Sequence, residues 1–429
     1  MFETALFWIF LLLPFQFALS PASGIDFALI RVAIPLLFLA WLASGLTKRS
    51  LNLPSPFLFS ILLFFAAFSF LSMFWASEPG WAFRKASFLA NFLLLFPILW
   101  DVAEEKYVRM RLAKGVVLGA FVAACIGIFQ FFLQFIVGVE TLFRFWTNTL
   151  LPFFLGENFA SAVATYPSLL VNVSGETLMR ATAFFPDPHL FSLFMAISAF
   201  LSLGIFMENR KTFWAIVFGI LTLAVLLAFS RGGYLALFGG GTLLGFFRMR
   251  EHFSLRTFLI CFLGVLAFLG IFSTTPVGTR FFESFSLEEG SNRARLLLWG
   301  EALEHIRERP LLGTGLGNYP LAVKPEATYR EPIYAHNLFL DLTLELGFIG
   351  LLAFILLPLM AIFGSYKVRK DPLVLGYLGA LTAFLVHSFF ETPIYSVHVF
   401  PLYLLVLAAL MRSGKGRVSP RKSEALRLS

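Results

Sequence analysis

Charged residues are scarce in this chain. Asp, Glu, Lys and Arg make up 14% of its 429 residues, where a water-soluble fold carries about a quarter. Together with a 59% hydrophobic share, that scarcity excludes a soluble enzyme. Cysteine is scarcer still. Cys125 and Cys261 both lie inside apolar runs, so there is no disulfide framework, zinc site or CxxC redox pair. DxD and HExxH motifs and clustered His/Cys patterns are also lacking, and no metal or other cofactor is expected. Long polar linkers are missing between residues 4 and 411. Length alone would suggest about three domains, but the chain reads as a single transmembrane domain over 1–411 with a basic cytoplasmic tail over 412–429.

Apolar runs fill the sequence instead. A membrane helix needs about 20 mostly apolar residues, because 1.5 Å of rise per residue must cross roughly 30 Å of hydrocarbon. Twelve segments are predicted to qualify, at 4–20, 25–46, 56–76, 81–100, 113–137, 186–207, 213–229, 232–247, 257–273, 337–363, 373–390 and 398–411. The expected fold is all-α, a polytopic membrane helix bundle of about 12 transmembrane helices. Only Glu3 precedes the first run, so it reads as a retained span and not as a cleaved signal.

The net charge of +8 reflects topology and not a nucleic-acid partner. With a cytoplasmic N-terminus, the inner loops hold Lys48 and Arg49, then Lys106 to Lys114, Arg210 and Lys211, Arg248 to Arg256, and Lys367 to Lys370, and the tail adds more. Twenty of the 33 basic residues then lie inside, while the short outer loops 77–80 and 391–397 have none. This is the distribution that the positive-inside rule demands. Two long outer segments result, 138–185 and 274–336, the second carrying a helical stretch before the tenth span.

Several residues on that outer side stand out. Arg231, in Ser230-Arg231-Gly232-Gly233, sits at a tight hairpin between two spans, where a guanidinium is costly unless an anion or a water-filled cavity meets it. Snorkelling to the interface is the alternative. Arg180 precedes Pro186-Asp187-Pro188-His189, where the prolines set an extended turn before a helix start and Asp187 reads as its cap. His189 reads as structural. Arg295 lies in a helical pattern whose buried face would comprise Arg295, Trp299, Ala302, Leu303 and Ile306, with Arg293, Glu301, Glu304, His305 and Glu308 on the wet face. Gly313-Thr314-Gly315-Leu316-Gly317 lacks the strand and the Lys-Ser/Thr of a P-loop and reads as a flexible turn. His336 stands at the start of the tenth span. Asp341 and Glu345 follow it, placed well round the helix, where they cap or brace neighbouring helices. Arg84 and Lys85 sit about a turn inside the outer end of the fourth span, where they either meet lipid phosphates or snorkel outward.

Arginines with one histidine and no metal suit a reaction that expels a phosphate leaving group, since guanidinium forks bind pyrophosphate bidentately and stabilise its developing charge. In order and spacing the pieces resemble the O-antigen ligase and polymerase superfamily. They are the Arg180 to His189 stretch, Ser230-Arg231-Gly232-Gly233, the Arg295 to Trp299 helix leading to Pro310-Leu-Leu-Gly-Thr-Gly315, and His336-Asn337 followed by Glu345-Leu-Gly347. Pro188-His189, where many members carry Pro-Asn, is a departure that bears on the acceptor.

The resemblance implies a metal-independent, inverting glycosyltransferase of the bacterial inner membrane, with its active site facing the periplasm. Its donor would be an undecaprenyl-pyrophosphate-linked glycan. Arg180, Arg231 and Arg295 would hold the pyrophosphate, with Arg84 and Lys85 as further donor contacts, and His336 would orient or deprotonate the acceptor hydroxyl. Lipid A-core is the acceptor for a ligase and another lipid-linked repeat for a polymerase; the long segment before the tenth span favours the ligase. A lipid-glycan transporter or flippase is the reading from another class. Against it stand the few central ionisable residues and the lack of an internal repeat.

Overall fold

Proline and short polar side chains set the helix boundaries. Pro56, Pro79, Pro188 and Pro372 each occupy a first turn, where a missing N–H costs nothing. Asp187 accepts from the backbone N–H of His189 at 2.6 Å and of Leu190 at 3.2 Å, which is the capping role expected of it. Asn337 does the same for Phe339 and Leu340, and Asp371 for Leu373 and Val374.

The computed structural model describes residues 1–22, 25–49, 51–165, 168–173, 175–252, 278, 290–328, 331 and 333–414. Among these, six helices are long and apolar enough to cross a membrane: Ile30–Lys48, Pro56–Phe74, Pro79–Val102, Lys106–Val137, Pro188–Asn209 and Leu338–Val368. The shorter apolar helices Phe2–Leu12, Thr212–Leu227, Pro372–His387 and Val399–Ser413 occupy the places of other predicted spans. Arg231–His252 covers the eighth, and the ninth, 257–273, lies outside the described residues. The protein is an all-α, multi-pass membrane protein.

The helices Pro188–Asn209, Thr212–Leu227, Arg231–His252 and Pro372–His387 pack against one another. Gly204 and Gly376 meet there, so close that a Cβ on either would stand 2.8 Å from the other's Cα. Small residues of this kind let helices approach where lipid offers no hydrophobic driving force. Val399–Ser413 lies in the centre of the bundle, buried along its whole length.

Several boundaries differ from the sequence reading. The first helix stops at Leu12, just before Pro14, and the rest of predicted span 4–20 forms with the next residues a hairpin of Ala18–Ala22 and Ile25–Ala28. Buried Gln16 stabilises the break by donating to the Leu13 carbonyl at 3.2 Å and accepting from Ile30 N at 3.2 Å. The fifth span begins at Lys106, because Arg109 is buried and donates to the Ala103 and Glu104 carbonyls that end the preceding helix. The last helix runs past 411 to Ser413, with Arg412 buried and paired to Glu104 and not part of a free tail. Among its described residues, segment 138–185 forms regular structure. Its short helices Val139–Phe145, Leu151–Leu155 and Glu157–Thr165 precede a hairpin of Leu170–Val173 and Glu176–Met179. The helix expected before the tenth span is Gly290–Glu308.

Candidate active site

Arg180 follows the second hairpin directly and is half-buried. Its backbone N–H donates to the Leu169 carbonyl at 2.8 Å, and that of Ala181 to the Leu227 carbonyl at 3.0 Å. The strip is thereby tied to the end of the helix that precedes Arg231. Arg231 opens its own helix after the tight Ala228–Ser230 link, in which Phe229 has a φ of 48°, a left-handed conformation costly for an aromatic residue. Ser230 Oγ lies 2.9 Å from His189 Nδ1 and accepts from Gly233 N at 3.3 Å. His189, read from the sequence as structural, thus contacts the residue that directly precedes Arg231.

Arg295 lies on Gly290–Glu308 with Arg293 on the exposed side, as expected. Ala302 and Ile306 are buried, but Leu303 is 46% exposed and leaves the predicted inner face. Trp299, one turn on from Arg295, donates from Nε1 to the Ala335 carbonyl at 2.9 Å, which fixes this helix against the residue preceding His336. His336 itself is not helical. Asn337 caps Leu338–Ser365, so His336 precedes the helix with a φ of 50°, and the angular separation expected between it and Asp341 or Glu345 does not apply.

The imidazole Nδ1 of His336 lies 3.4 Å from Glu391 Oε2. Burial opposes charge on the ring, but the negative charge of Glu391 and the contact with it prevail, and the His336 pKa stands above its ordinary value. The same pairing holds Glu391 well below the usual carboxylate range despite its burial. The charges of Arg180, Glu391 and Arg295 all act on His189, and those of Glu391 and Arg295 also on His336. Arg180, Arg295, His189, His336 and Glu391 therefore form one electrostatic neighbourhood built from segments far apart in the chain.

Beside it opens a cavity of about 660 Å³. Arg31, Arg84 and Lys85 line it together with Asp341, Glu345 and Glu391, and Phe27, Phe83, Phe88 and Phe159 are also among the lining. Lys85 Nζ pairs with Glu345 at 2.7 Å and lies 3.9 Å from the centre of the Tyr395 ring, whose hydroxyl donates to Glu345 at 3.1 Å. Asp341 accepts from Ala335 N at 2.9 Å and from the Thr392 hydroxyl. Both acids thus brace neighbouring segments, as the sequence suggested. Of the six predicted site residues, Arg84 and Lys85 line this cavity. His336, Arg180, Arg231 and Arg295 are not among its described lining residues. Glu391 links the two groups, because it both lines the cavity and pairs with His336.

Glu391, Tyr395 and Arg31 line this cavity, and sequence reasoning misses them as candidates. Glu391 and Arg31 carry one usable signal, an ionisable side chain at a membrane boundary. In the sequence, segment 391–397 stands out only for its lack of basic residues.

The glycine-rich turn is not a flexible loop. Thr314 N donates to the Leu344 carbonyl at 2.8 Å, Gly315 N to the Glu345 carbonyl at 2.9 Å and Phe348 N to the Pro310 carbonyl at 2.8 Å. These bonds fill a break in Leu338–Ser365 at Gly347, where φ is 64° and a Cβ would overlap the Leu311 carbonyl. Two of the turn's N–H groups are thus engaged with the backbone of Leu344 and Glu345.

The arrangement defines a polytopic membrane protein with a cluster of arginines, histidines and carboxylates beside an amphipathic cavity. Residues 215–355 match the O-antigen ligase family, so this stretch of the chain is similar to members of that family. The chain is also 27% identical over 246 residues to a ComP-specific O-oligosaccharyltransferase of Acinetobacter baylyi, a match covering 53% of this chain and 43% of that protein. The chain thus spans less than half the length of this curated relative.

Proposed function

We propose that the protein transfers a glycan from an undecaprenyl-pyrophosphate donor to an acceptor hydroxyl at the outer face of the bacterial inner membrane, as an O-antigen ligase with lipid A-core as acceptor. The observation that carries this reading is the His336–Glu391 pair within electrostatic reach of Arg295, at the edge of a cavity that is both charged and aromatic. Such a cavity suits an amphiphile with an anionic head.

In this reading the acceptor oxygen attacks the anomeric carbon as its bond to the pyrophosphate oxygen breaks, with inversion. The electron pair leaves on the pyrophosphate, and Arg180, Arg231 and Arg295 stabilise that charge, with Arg84 and Lys85 as contacts on the cavity wall. The acceptor proton passes to His336 when its ring is neutral, and Glu391 orients the ring and stabilises the imidazolium that results. Because guanidinium groups supply the positive charge, the reading requires no metal. A polymerase, joining one lipid-linked repeat to another, would use the same chemistry. An acceptor other than lipid A-core is favoured by one observation, the relative whose name specifies ComP.

Purified protein in proteoliposomes, supplied with lipid-linked glycan, candidate acceptors and a chelator, tests the proposal. Transfer without nucleotide or metal is expected. Substrate-coupled ion flux without transfer would overturn it in favour of a transporter.

A further inference from the structure

The strip that carries Arg180 contains a strained residue, Ala183, with a φ of 47°. Such a conformation persists only where surrounding contacts over-determine it, and here the contacts come from one face of Lys106–Val137 and from Trp146. Gln134, buried, accepts from Met179 N at 2.7 Å and donates to the Met179 carbonyl at 3.0 Å, so that it bonds the strip as a neighbouring β-strand would. Gln130, one turn earlier and fully buried, accepts from Thr182 N at 3.1 Å and from Ala183 N at 2.9 Å. Trp146 closes the turn from its other side, with Nε1 donating to the Ala183 carbonyl at 2.6 Å. Gly127 lies on the same helix face and makes room, since a Cβ there would stand 2.9 Å from the Phe191 ring and 3.5 Å from Ala183 N.

Two glutamines buried in an apolar helix are unfavourable unless their amides are bonded. Both bond the backbone on either side of Arg180. Leucine would fill the same space without polar atoms, so the stability of the helix does not call for glutamine at these positions; the 179–183 backbone does.

We propose that Gln130 and Gln134 are positioning residues that hold the 179–183 turn and thereby aim Arg180 at the donor's anionic head. This rests on the reading of Arg180 as a pyrophosphate contact. The amides of Thr182 and Ala183 are kept from exchange by Gln130, and the orientation of Arg180 depends on Gln134 without Gln134 touching substrate.

The test uses the full-length protein in proteoliposomes, with Gln134→Leu, Arg180→Lys and the double variant compared in glycan transfer. Gln134→Leu is expected to lower turnover about tenfold, and to add little to the loss already caused by Arg180→Lys, because both act through one side chain. Multiplicative losses, or wild-type turnover in a folded Gln134→Leu, would overturn the proposal. Wild-type turnover in Arg180→Lys would instead overturn the reading of Arg180 itself. Hydrogen exchange reads the turn without reference to activity. Gln130→Leu should speed exchange in the 179–183 peptide, whereas Gln130→Glu, which retains the acceptor oxygen, should restore protection; equal exchange in all three proteins would refute the clamp. Should the leucine variants fail to accumulate, Trp146→Phe removes a single bond to the same turn. It is expected to show the same faster exchange and lower turnover, and wild-type behaviour on both counts would refute the clamp.

Discussion

His336 and Glu391 stand 55 residues apart in the chain, yet their side chains meet with Nδ1 3.4 Å from Oε2. A carboxylate in that position makes the imidazole a stronger base and keeps it protonated to a higher pH than an isolated histidine. Transfer that needs the neutral ring therefore rises as pH passes the His336 pKa, on the alkaline side of about 6.5. Glu391→Gln removes the charge responsible and should move that limb of the pH–rate profile to lower pH. A limb that stays in place, or a folded His336→Gln with near wild-type turnover, would remove His336 from the role of base.

The same pair ties stability to pH. His336, with its pKa raised on folding, contributes stability that is full below about 6.5 and is lost as pH rises through the folded value. Glu391, with its pKa depressed, contributes stability present above about 4.3 and lost as pH falls through its folded value. The melting temperature of the wild-type protein should exceed that of Glu391→Gln most between these limits. A difference independent of pH would contradict the ion pair.

Arginine geometry should matter beyond charge. Lysine keeps the positive charge but not the bidentate fork, so Arg231→Lys and Arg295→Lys should each lower turnover roughly tenfold or more in proteins that melt as wild type. Full turnover in both would leave these arginines with interfacial roles alone.

Lys85 offers a contrast. Its partner Glu345 is 1% exposed, and removing one member of a buried pair costs about 3 kcal/mol or more. Lys85→Met should lower the melting temperature, and Lys85→Met combined with Glu345→Gln should recover a large part of it. Donor-binding measurements on Arg84→Gln then report on the cavity wall without that complication; unchanged donor affinity would remove Arg84 from the site.

Orientation is accessible to labelling. Cysteine introduced at the exposed positions Glu176 and Arg293 should react with an impermeant thiol reagent in intact spheroplasts. Labelling only after lysis would place the candidate site on the cytoplasmic side.

Much of the architecture is local and so was visible in the chain. Runs of about 20 apolar residues, prolines in first turns and the caps at Asp187 and Asn337 depend on neighbours within a turn or two, and the expected helix before the tenth span formed as Gly290–Glu308. The arginines stand out because a guanidinium at a membrane boundary is costly wherever it lies. What the sequence determined by itself was therefore the class of molecule, most of its helices and the charged residues that need an explanation. Tertiary structure alone decided which of them meet. Glu391 reaches His336 because the Leu338–Ser365 helix and the link after Pro372–His387 pack side by side, with Leu338 N donating to the Ser388 carbonyl at 2.8 Å. The glycine turn became a plug because Gly347 opens a break that only another backbone can fill, and Gln130 and Gln134 found use only once a hairpin 45 or more residues away folded against them. Hydrogen bonds between distant segments follow from packing, and no periodicity within one segment encodes their partners.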